Sequence, residues 1–228
     1  MASTRILVAD DHDLVRYGIT LMLKEFDNLK VVGEACSGEE ALVFCRKNSV
    51  DVVFMDILMP GMGGLEATRR LAASRPEIKV IALSSVDDLV YARKIIEAGA
   101  KGYLTKGGSL AEMIRCLHAV VSGKRYICSD VARELAIAAL ESESENPFDR
   151  LSPQEFQVAT MVIDCHKAID IGACMGIGAK TVNSYRYRIF EKLGVSSDVA
   201  LTRLAMQHGI IKVGCFDVAV LPEPLADR

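Results

Sequence analysis

The stretch Ile6-Leu7-Val8-Ala9-Asp10-Asp11 joins four apolar residues directly to two carboxylates. Apolar runs of the same kind recur at 52–56, ending in Asp56, at 80–84, ending in Ser84, and at 103–106, ending in Lys106. Short apolar runs are typical of strands buried in a parallel sheet, and such sheets bind ligands at the carboxyl ends of their strands. The pattern therefore predicts that these polar residues converge on one crevice.

The first half of the chain alternates strand-like runs with stretches of helical period, which predicts an α/β fold, a (βα)₅ doubly wound parallel sheet. Ser37 and Ser109 precede glutamates at helix-start spacing, and Gly99 and Gly123 end helical stretches. The predicted strands are 5–9, 31–35, 51–55, 79–84 and 102–105. The predicted helices are 13–26, 37–47, 64–74, 87–98 and 109–122.

The chain has 228 residues, half of them hydrophobic, which is enough for two domains with separate cores. A short helical stretch at 129–140 precedes ESESENPFD, an acidic run with Pro147 that predicts a flexible linker. We expect a first domain at 1–123, a linker with a short helix at 124–150, a small all-α helix-turn-helix domain at 151–211, and a tail at 212–228 without assigned function.

Composition excludes several classes of protein. The seven cysteines are odd in number and form no C-x-x-C pair, so neither a disulfide framework nor a zinc module is expected. The first residues become charged before a signal-peptide core develops, and no apolar run approaches the ~20 residues needed to cross a bilayer. The expected location is the reducing cytoplasm.

The polar strand ends predict an Mg²⁺-assisted phosphoryl site. Asp56 follows a wholly apolar strand and is the candidate nucleophile. Asp10 and Asp11 would repel it unless a cation lies between them, and carboxylate oxygens are ligands that Mg²⁺ prefers. Lys106 and Ser84 can then contact the oxygens of a phosphoryl group.

The sequence of the second domain predicts a helix-turn-helix. The segment 151–155, Leu-Ser-Pro-Gln-Glu, has the serine, proline and glutamate of a capped helix start. A helix at 168–175 then reaches the glycine-containing turn 176–178, and a longer helix follows at 179–193. One face of the longer helix is apolar, and the other carries side chains suited to bases and phosphates. A plain helical packing unit with a solvated polar face is the alternative.

Residues 5 to about 123 resemble the response-regulator receiver. The resemblance implies that Asp56 accepts a phosphoryl group from a sensor histidine kinase, and that Asp11, Asp56 and the Leu58 carbonyl ligate Mg²⁺, with Asp10 helping through water. It also implies that Ser84 and Tyr103 form a switch pair. Lys106 is followed by Gly107 where many receivers have proline, so the cis peptide common there is not expected.

Residues 151–155 and the run TVNSYRYRIFEKL at 181–193 resemble the LuxR/NarL/FixJ-type DNA-binding domain, and with the receiver they are most similar to the GacA/UvrY group of regulators. The resemblance implies double-stranded DNA as partner and a final helix, about 198–208, that forms a homodimer on DNA. Gly172 replaces a usual alanine and Gly178 a capping serine or threonine. We expect Arg186 to pair with Glu155. The expected DNA contacts are Lys180, Thr181, Asn183, Ser184, Tyr187 and Arg188.

The sequence thus predicts a two-component transcription factor that is not an enzyme and has no membrane partner. One alternative is a phosphohydrolase that uses Asp56 as covalent nucleophile, although that class requires an acid/base aspartate where Leu58 stands. Another alternative keeps the receiver but gives the second domain a protein partner. His12, next to Asp11, lies either at the phosphoryl site or on the surface.

Overall fold

The computed structural model describes residues 3–84, 89–141 and 146–211. The first domain is a parallel sheet with strand order β2-β1-β3-β4-β5-β6, which confirms the predicted doubly wound fold. Its strands are β1 Thr4–Ala9, β2 Leu29–Ala35, β3 Val52–Asp56, β4 Lys79–Ser84, β5 Gly102–Thr105 and β6 Tyr126–Ile127. Its helices are α1 Asp13–Leu23, α2 Gly38–Lys47, α3 Gly63–Ser74, α4 Leu89–Glu97 and α5 Leu110–Val121.

Strand β6 was absent from the five strands that the sequence predicts. It extends the sheet beyond β5, where the Tyr126 N–H donates to the Lys101 carbonyl at 3.0 Å and the Cys128 N–H to the Tyr103 carbonyl at 3.1 Å. A two-residue strand is too short to show an alternating pattern. Its pairing satisfies backbone groups at the edge of β5 that would otherwise be exposed.

The central strands are buried on both faces, as their continuous apolar runs predict. Residues 6–9 of β1 and 52–55 of β3 are fully inaccessible to solvent. The predicted helix starts are also confirmed, because the Ser37 and Ser109 side chains accept hydrogen bonds from the Glu40 and Glu112 N–H groups. Rigid strands and capped helices therefore hold the loops at the carboxyl edge of the sheet.

The second domain contains the predicted helix-turn-helix. Ser152 and Glu155 form the complete capping box at the start of the first helix, and Gly176 ends the second in the left-handed region, with φ +66°. A Cβ on Gly172 would lie 2.7 Å from the Ile177 carbonyl, so this glycine permits the tight turn. The helices are α7 Pro153–Ile163, α8 Ala168–Met175, α9 Ala179–Leu193 and α10 Asp198–Gln207.

The predicted short helix between the domains is confirmed, whereas the end of the acidic run after it differs from the predicted flexible linker. Helix α6, Ser129–Glu141, packs against α4, and Pro147–Arg150 forms a 3-10 turn. Phe148 in this turn is fully buried and makes an edge-to-face contact with Phe156. Burial of this apolar ring therefore holds the end of the acidic run in the core. Residues 142–145 and the tail 212–228 lie outside the described residues.

Within the described ranges, the helices are too short or too polar to cross a membrane.

Candidate phosphoryl site and DNA-reading helix

The parallel register brings the predicted site residues to one edge of the sheet. Asp56 is the last residue of β3 and pairs in register with Leu83, one residue before Ser84. Ser84 pairs with Thr105, the residue before Lys106. Asp10 directly follows β1, whose Ala9 pairs with Met55. The sheet itself therefore determines that these side chains share a crevice.

The carboxylates and the lysine are in direct contact. Lys106 Nζ lies 2.7 Å from Asp10 Oδ2 and 2.9 Å from Asp56 Oδ2. The Asp10 side chain is fully buried and that of Asp56 is 4% exposed, so both depend on the lysine for charge compensation. Lys106 links the first and third strands across the floor of the site.

The donor atoms of Asp10, Asp11, His12 and Asp56 all lie within 4.8 Å of one another. Asp11 Oδ1 is buried and accepts no hydrogen bond, although His12 Nδ1 lies 3.0 Å away. A buried carboxylate oxygen without a hydrogen bond, beside two further carboxylates, suits a hard cation such as Mg²⁺. No other group of three or more His, Cys, Asp or Glu side chains in the described ranges has this spacing.

The structure places His12 at this site rather than away from it. Its side chain is 66% exposed and forms the rim, with Nδ1 3.3 Å from Asp10 Oδ1. Its backbone N–H donates to the same carboxylate oxygen at 2.9 Å. The turn after β1 therefore fixes the orientation of the Asp10 carboxylate.

Burial dominates the electrostatics of the candidate nucleophile. It raises the pKa of Asp56 to about 6; the Asp10 charge adds to this effect, whereas Lys106 opposes it. Burial also acts to lower the pKa of Lys106, but the contacts with Asp10 and Asp56 outweigh it and leave that pKa above its ordinary value. A buried carboxylate that is costly to ionise is stabilised when a cation binds beside it.

Ser84 and Tyr103, the expected switch pair, are both buried, and Tyr103 is fully inaccessible to solvent. They lie on neighbouring strands, because Tyr103 pairs in register with Ala82 of β4. No cis peptide bond occurs among the described residues, in keeping with Gly107 after Lys106.

Helix α9 has the two faces that its sequence predicts. Val182 and Ile189 are fully buried against the domain, with Tyr185 and Leu193 partly buried beside them. All six expected DNA contacts are exposed: Lys180, Thr181, Asn183, Ser184, Tyr187 and Arg188. The Arg188 guanidinium lies 4.7 Å from the centre of the Tyr185 ring, which holds it near the helix surface.

Two charge pairs replace the one that the sequence predicts. Arg186 does not contact Glu155; its Nη2 lies 2.5 and 2.6 Å from the two carboxylate oxygens of Asp198. Glu155 instead accepts from Lys192 Nζ at 2.6 Å, so the lysine is engaged inside the domain. Arg186 and Lys192 are six residues apart, about 240° around the helix, and therefore face different neighbours.

Sequence reasoning also missed a set of contacts between the two domains. The Tyr91 hydroxyl donates to Thr160 Oγ1 at 2.9 Å, and Lys94 Nζ lies 3.1 Å from the Leu151 carbonyl. These partners are 69 and 57 positions apart, so no local pattern joins them. Lys94, a lysine on the apolar face of α4, was the one sequence signal of such a contact. It does not indicate which residue is its partner.

The parallel sheet with its acidic crevice, joined to a helix-turn-helix, defines a class of protein, the two-component response regulators. The family model for the response regulator receiver domain matches residues 6–118, and that for bacterial regulatory proteins of the luxR family matches residues 149–205. The chain belongs to this family, the response regulators with a luxR-type DNA-binding domain, which regulate transcription. The phosphohydrolase alternative is therefore wrong.

Two relatives cover nearly the whole chain. Response regulator GacA of Pseudomonas protegens is 50% identical over 207 residues, 91% of this chain and 97% of the relative. Response regulator UvrY of Escherichia coli is 46% identical over 206 residues, 90% of this chain and 94% of the relative. This confirms the predicted similarity to GacA/UvrY-like regulators.

Solved structures share the fold. A LuxR-family response regulator from an Aurantimonas species is 34% identical, with a TM-score of 0.59; the match covers 61% of this chain and all of that one. The RcsB response regulator of Salmonella typhimurium has a TM-score of 0.68 at 24% identity, covering 89% of this chain and 96% of that one. The second likeness supports the fold alone.

Proposed function

We propose that Asp56 accepts a phosphoryl group from a phosphohistidine on a sensor histidine kinase. The observation that carries this proposal is the crevice in which Asp10, Asp11 and Asp56 meet Lys106. An Asp56 carboxylate oxygen forms a bond to phosphorus while the P–N bond to the donor breaks. The electron pair of that bond returns to the imidazole nitrogen, which takes a proton from solvent, and an acyl phosphate remains on Asp56.

Asp11 and Asp56 are the proposed Mg²⁺ ligands together with the Leu58 carbonyl, and Asp10 contributes through water. Bound Mg²⁺ supplies charge neutralisation for the phosphoryl oxygens. Lys106 contacts one of these oxygens, since its ammonium already lies within 2.9 Å of Asp56. Ser84 donates to another oxygen, and Tyr103 is the proposed second member of the switch pair.

The face beside the crevice supports a protein donor. Leu14, Tyr17 and Leu21 lie on one side of α1, where their side chains are 82%, 64% and 53% exposed. Their spacing at i, i+3 and i+7 gives an apolar stripe that suits a helical partner. Since the proposed partners are a sensor histidine kinase and DNA, the proposed site of action is the cytoplasm.

For the second domain we propose that α9 enters the DNA major groove and that α10 pairs two copies on a two-fold site. The exposed side chains of α9 support the first part. Val199, Arg203 and Met206 support the second, because they lie exposed on one face of α10. The proposed domain limits are 1–123, 124–150, 151–211 and a tail at 212–228.

The phosphoryl site is tested by incubating the full chain with a small phosphodonor and Mg²⁺ and locating the adduct by peptide mass spectrometry. Asp56→Asn is expected to abolish the adduct. The matched control Asp27→Asn changes an exposed turn aspartate and is expected to leave labelling intact. A label that persists on another residue of Asp56→Asn contradicts the site assignment.

DNA binding is tested with the full chain and duplexes that carry two-fold sites. Lys180→Ala combined with Asn183→Ala is expected to abolish specific binding, and Lys180→Ala alone to reduce the salt-dependence slope by about 1. Lys124→Ala, an exposed lysine at the start of the linker, serves as control. Unchanged affinity in the double variant would favour a protein partner for this domain.

A further inference from the structure

The DNA-binding domain lies against the loop that follows the phosphoryl acceptor. We call residues 57–62, between β3 and α3, the β3–α3 loop. The Gly61 N–H donates to the Cys174 carbonyl in α8 at 2.6 Å. The Gln157 side-chain amide in α7 lies 3.4 Å from the Met59 carbonyl and 3.5 Å from the Gly61 carbonyl. The middle of the loop thus contacts the other domain.

The ends of this loop are held by the receiver itself. The Leu58 N–H donates to Asp56 Oδ1 at 3.2 Å, and the Met62 N–H donates to Glu39 Oε1 at 2.9 Å. Gly61 has φ +78°, so its side of the loop depends on a conformation that most residues avoid. Within the receiver, Met59 is buried in the core and Gly61 packs against the Glu39 carboxylate. The contacts with Gln157 and Cys174 therefore add a second packed surface to the central part of the loop, Met59–Gly61.

Close packing at the next turn shows that the contact is tight. A Cβ on Gly63 would lie 3.0 Å from Gln157 Oε1. Gly63 begins α3, so Gln157 touches both the β3–α3 loop and the helix after it. Any movement of α7 would therefore displace atoms of this loop, because the loop and not solvent lies beside Gln157.

A second set of contacts, made by α4 and not by the β3–α3 loop, anchors the same two domains. The Tyr91 hydroxyl donates to Thr160 Oγ1, and its ring lies 4.7 Å edge-on from the Phe156 ring. Lys94 Nζ lies 5.0 Å from the centre of the same Phe156 ring. Thr160 Oγ1 also lies 2.9 Å from the Gln157 carbonyl, whereas Tyr91 and Lys94 belong to α4 and not to the β3–α3 loop. Docking can therefore be weakened by a change in α4 that leaves Thr160 and Gln157 intact.

We propose that the docked DNA-binding domain orders the β3–α3 loop and thereby strengthens Mg²⁺ binding in the receiver, with Gln157 as a positioning residue. The inference rests on the proposed Mg²⁺ site, whose Leu58 ligand lies in this loop. A loop that is already ordered loses less conformational freedom when it binds a ligand. By linkage, Mg²⁺ strengthens docking by the same factor.

The test measures the Mg²⁺ dissociation constant of the full chain by isothermal titration calorimetry, without a phosphodonor. Gln157→Ala removes the contact with the loop, and Tyr91→Phe removes the hydroxyl that donates to Thr160 at the α4 anchor while keeping the ring contact with Phe156. Each is expected to raise the dissociation constant about three- to tenfold. Gln207→Ala, an exposed glutamine on α10, is the matched control and is expected to match the parent chain.

Hydrogen exchange supplies the reciprocal measurement. Mg²⁺ is expected to slow exchange in peptides from α7 of the parent chain, and this effect is expected to shrink in Gln157→Ala. A local packing role for Gln157 would alter exchange equally with and without the ion.

Unchanged or tighter Mg²⁺ binding in either variant would overturn the inference. A parent chain that binds Mg²⁺ no better than Asp56→Asn would instead remove the proposed metal site itself. The two failures are therefore distinguishable.

Discussion

Glu155→Gln tests the ion pair that joins α7 to α9. The Glu155 side chain is 4% exposed, and its Oε2 accepts from the Ser152 N–H at 2.8 Å and from Lys192 Nζ at 2.6 Å. Glutamine retains the shape and an oxygen for Ser152 but removes the charge. A hydrogen bond to a charged group contributes about 1.5–3 kcal/mol. Lys192 is 40% exposed and can return to water, so we expect a loss of about 1.5 kcal/mol.

Lys192→Met is expected to cost more, about 3 kcal/mol, because it leaves a buried carboxylate without its cation. Urea-dependent hydrogen exchange in peptides from α7 and α9 measures both losses. Lys180→Met is the control on the same helix, since Lys180 is exposed and has no ion pair among the described residues. It is expected to change stability by less than about 0.5 kcal/mol. Equal effects of Lys192→Met and Lys180→Met would refute the reasoning.

The pair also predicts a pH dependence. Burial acts to raise the pKa of Glu155, but Lys192 and the Ser152 N–H outweigh it and hold that pKa below its ordinary value. A carboxyl group with a depressed pKa contributes stability above its unfolded pKa, about 4.3, and this contribution is lost as pH falls through the folded value. The difference between the parent chain and Glu155→Gln is therefore expected to shrink below about pH 4.

Two further predictions concern the receiver. Gly64→Ala would place a Cβ 1.8 Å from the Asp56 carbonyl, so we expect a loss of about 3 kcal/mol in urea unfolding; Gly18→Ala, at an open helical position, is expected to stabilise by about 0.5–1 kcal/mol, and similar losses in both would contradict this account. Because burial raises the pKa of Asp56 to about 6, ionising it weakens the fold as pH rises from about 4 to 6. Asp56→Asn is therefore expected to raise metal-free stability at pH 7.5 by on the order of 2–3 kcal/mol and to lose this advantage towards pH 4; a constant difference across that range would show that ionisation is not the cause.

Much of the fold was predictable because its signals are local. Continuous apolar runs identified the central strands β1, β3 and β4, since a strand buried on both faces has no polar positions to interrupt it. The alternation of strand-like and helical stretches identified β2 and β5. The caps at Ser37, Ser109 and Ser152 were predictable because each involves residues within one helical turn. The two-residue strand β6 gave no such signal, because its existence depends on pairing with β5.

The candidate phosphoryl site was predictable for a related reason. Parallel strands in register carry the residues after them to the same edge, so Asp10, Asp56 and Lys106 could be brought together from their positions alone. The position of His12 was open, because a residue three positions beyond the end of β1 can turn either way. The backbone hydrogen bond from His12 to Asp10 decided it.

The amino-acid sequence by itself determined the elements, the helix-turn-helix and the residues that the sheet delivers to its carboxyl edge, since these depend on short-range patterning and strand register. Only the tertiary structure decided which charges pair across helices and how the domains meet. Arg186 reaches Asp198 rather than Glu155, and Gln157 reaches the β3–α3 loop 96 positions away. Such contacts depend on the angles at which packed surfaces meet, and no local pattern encodes these angles.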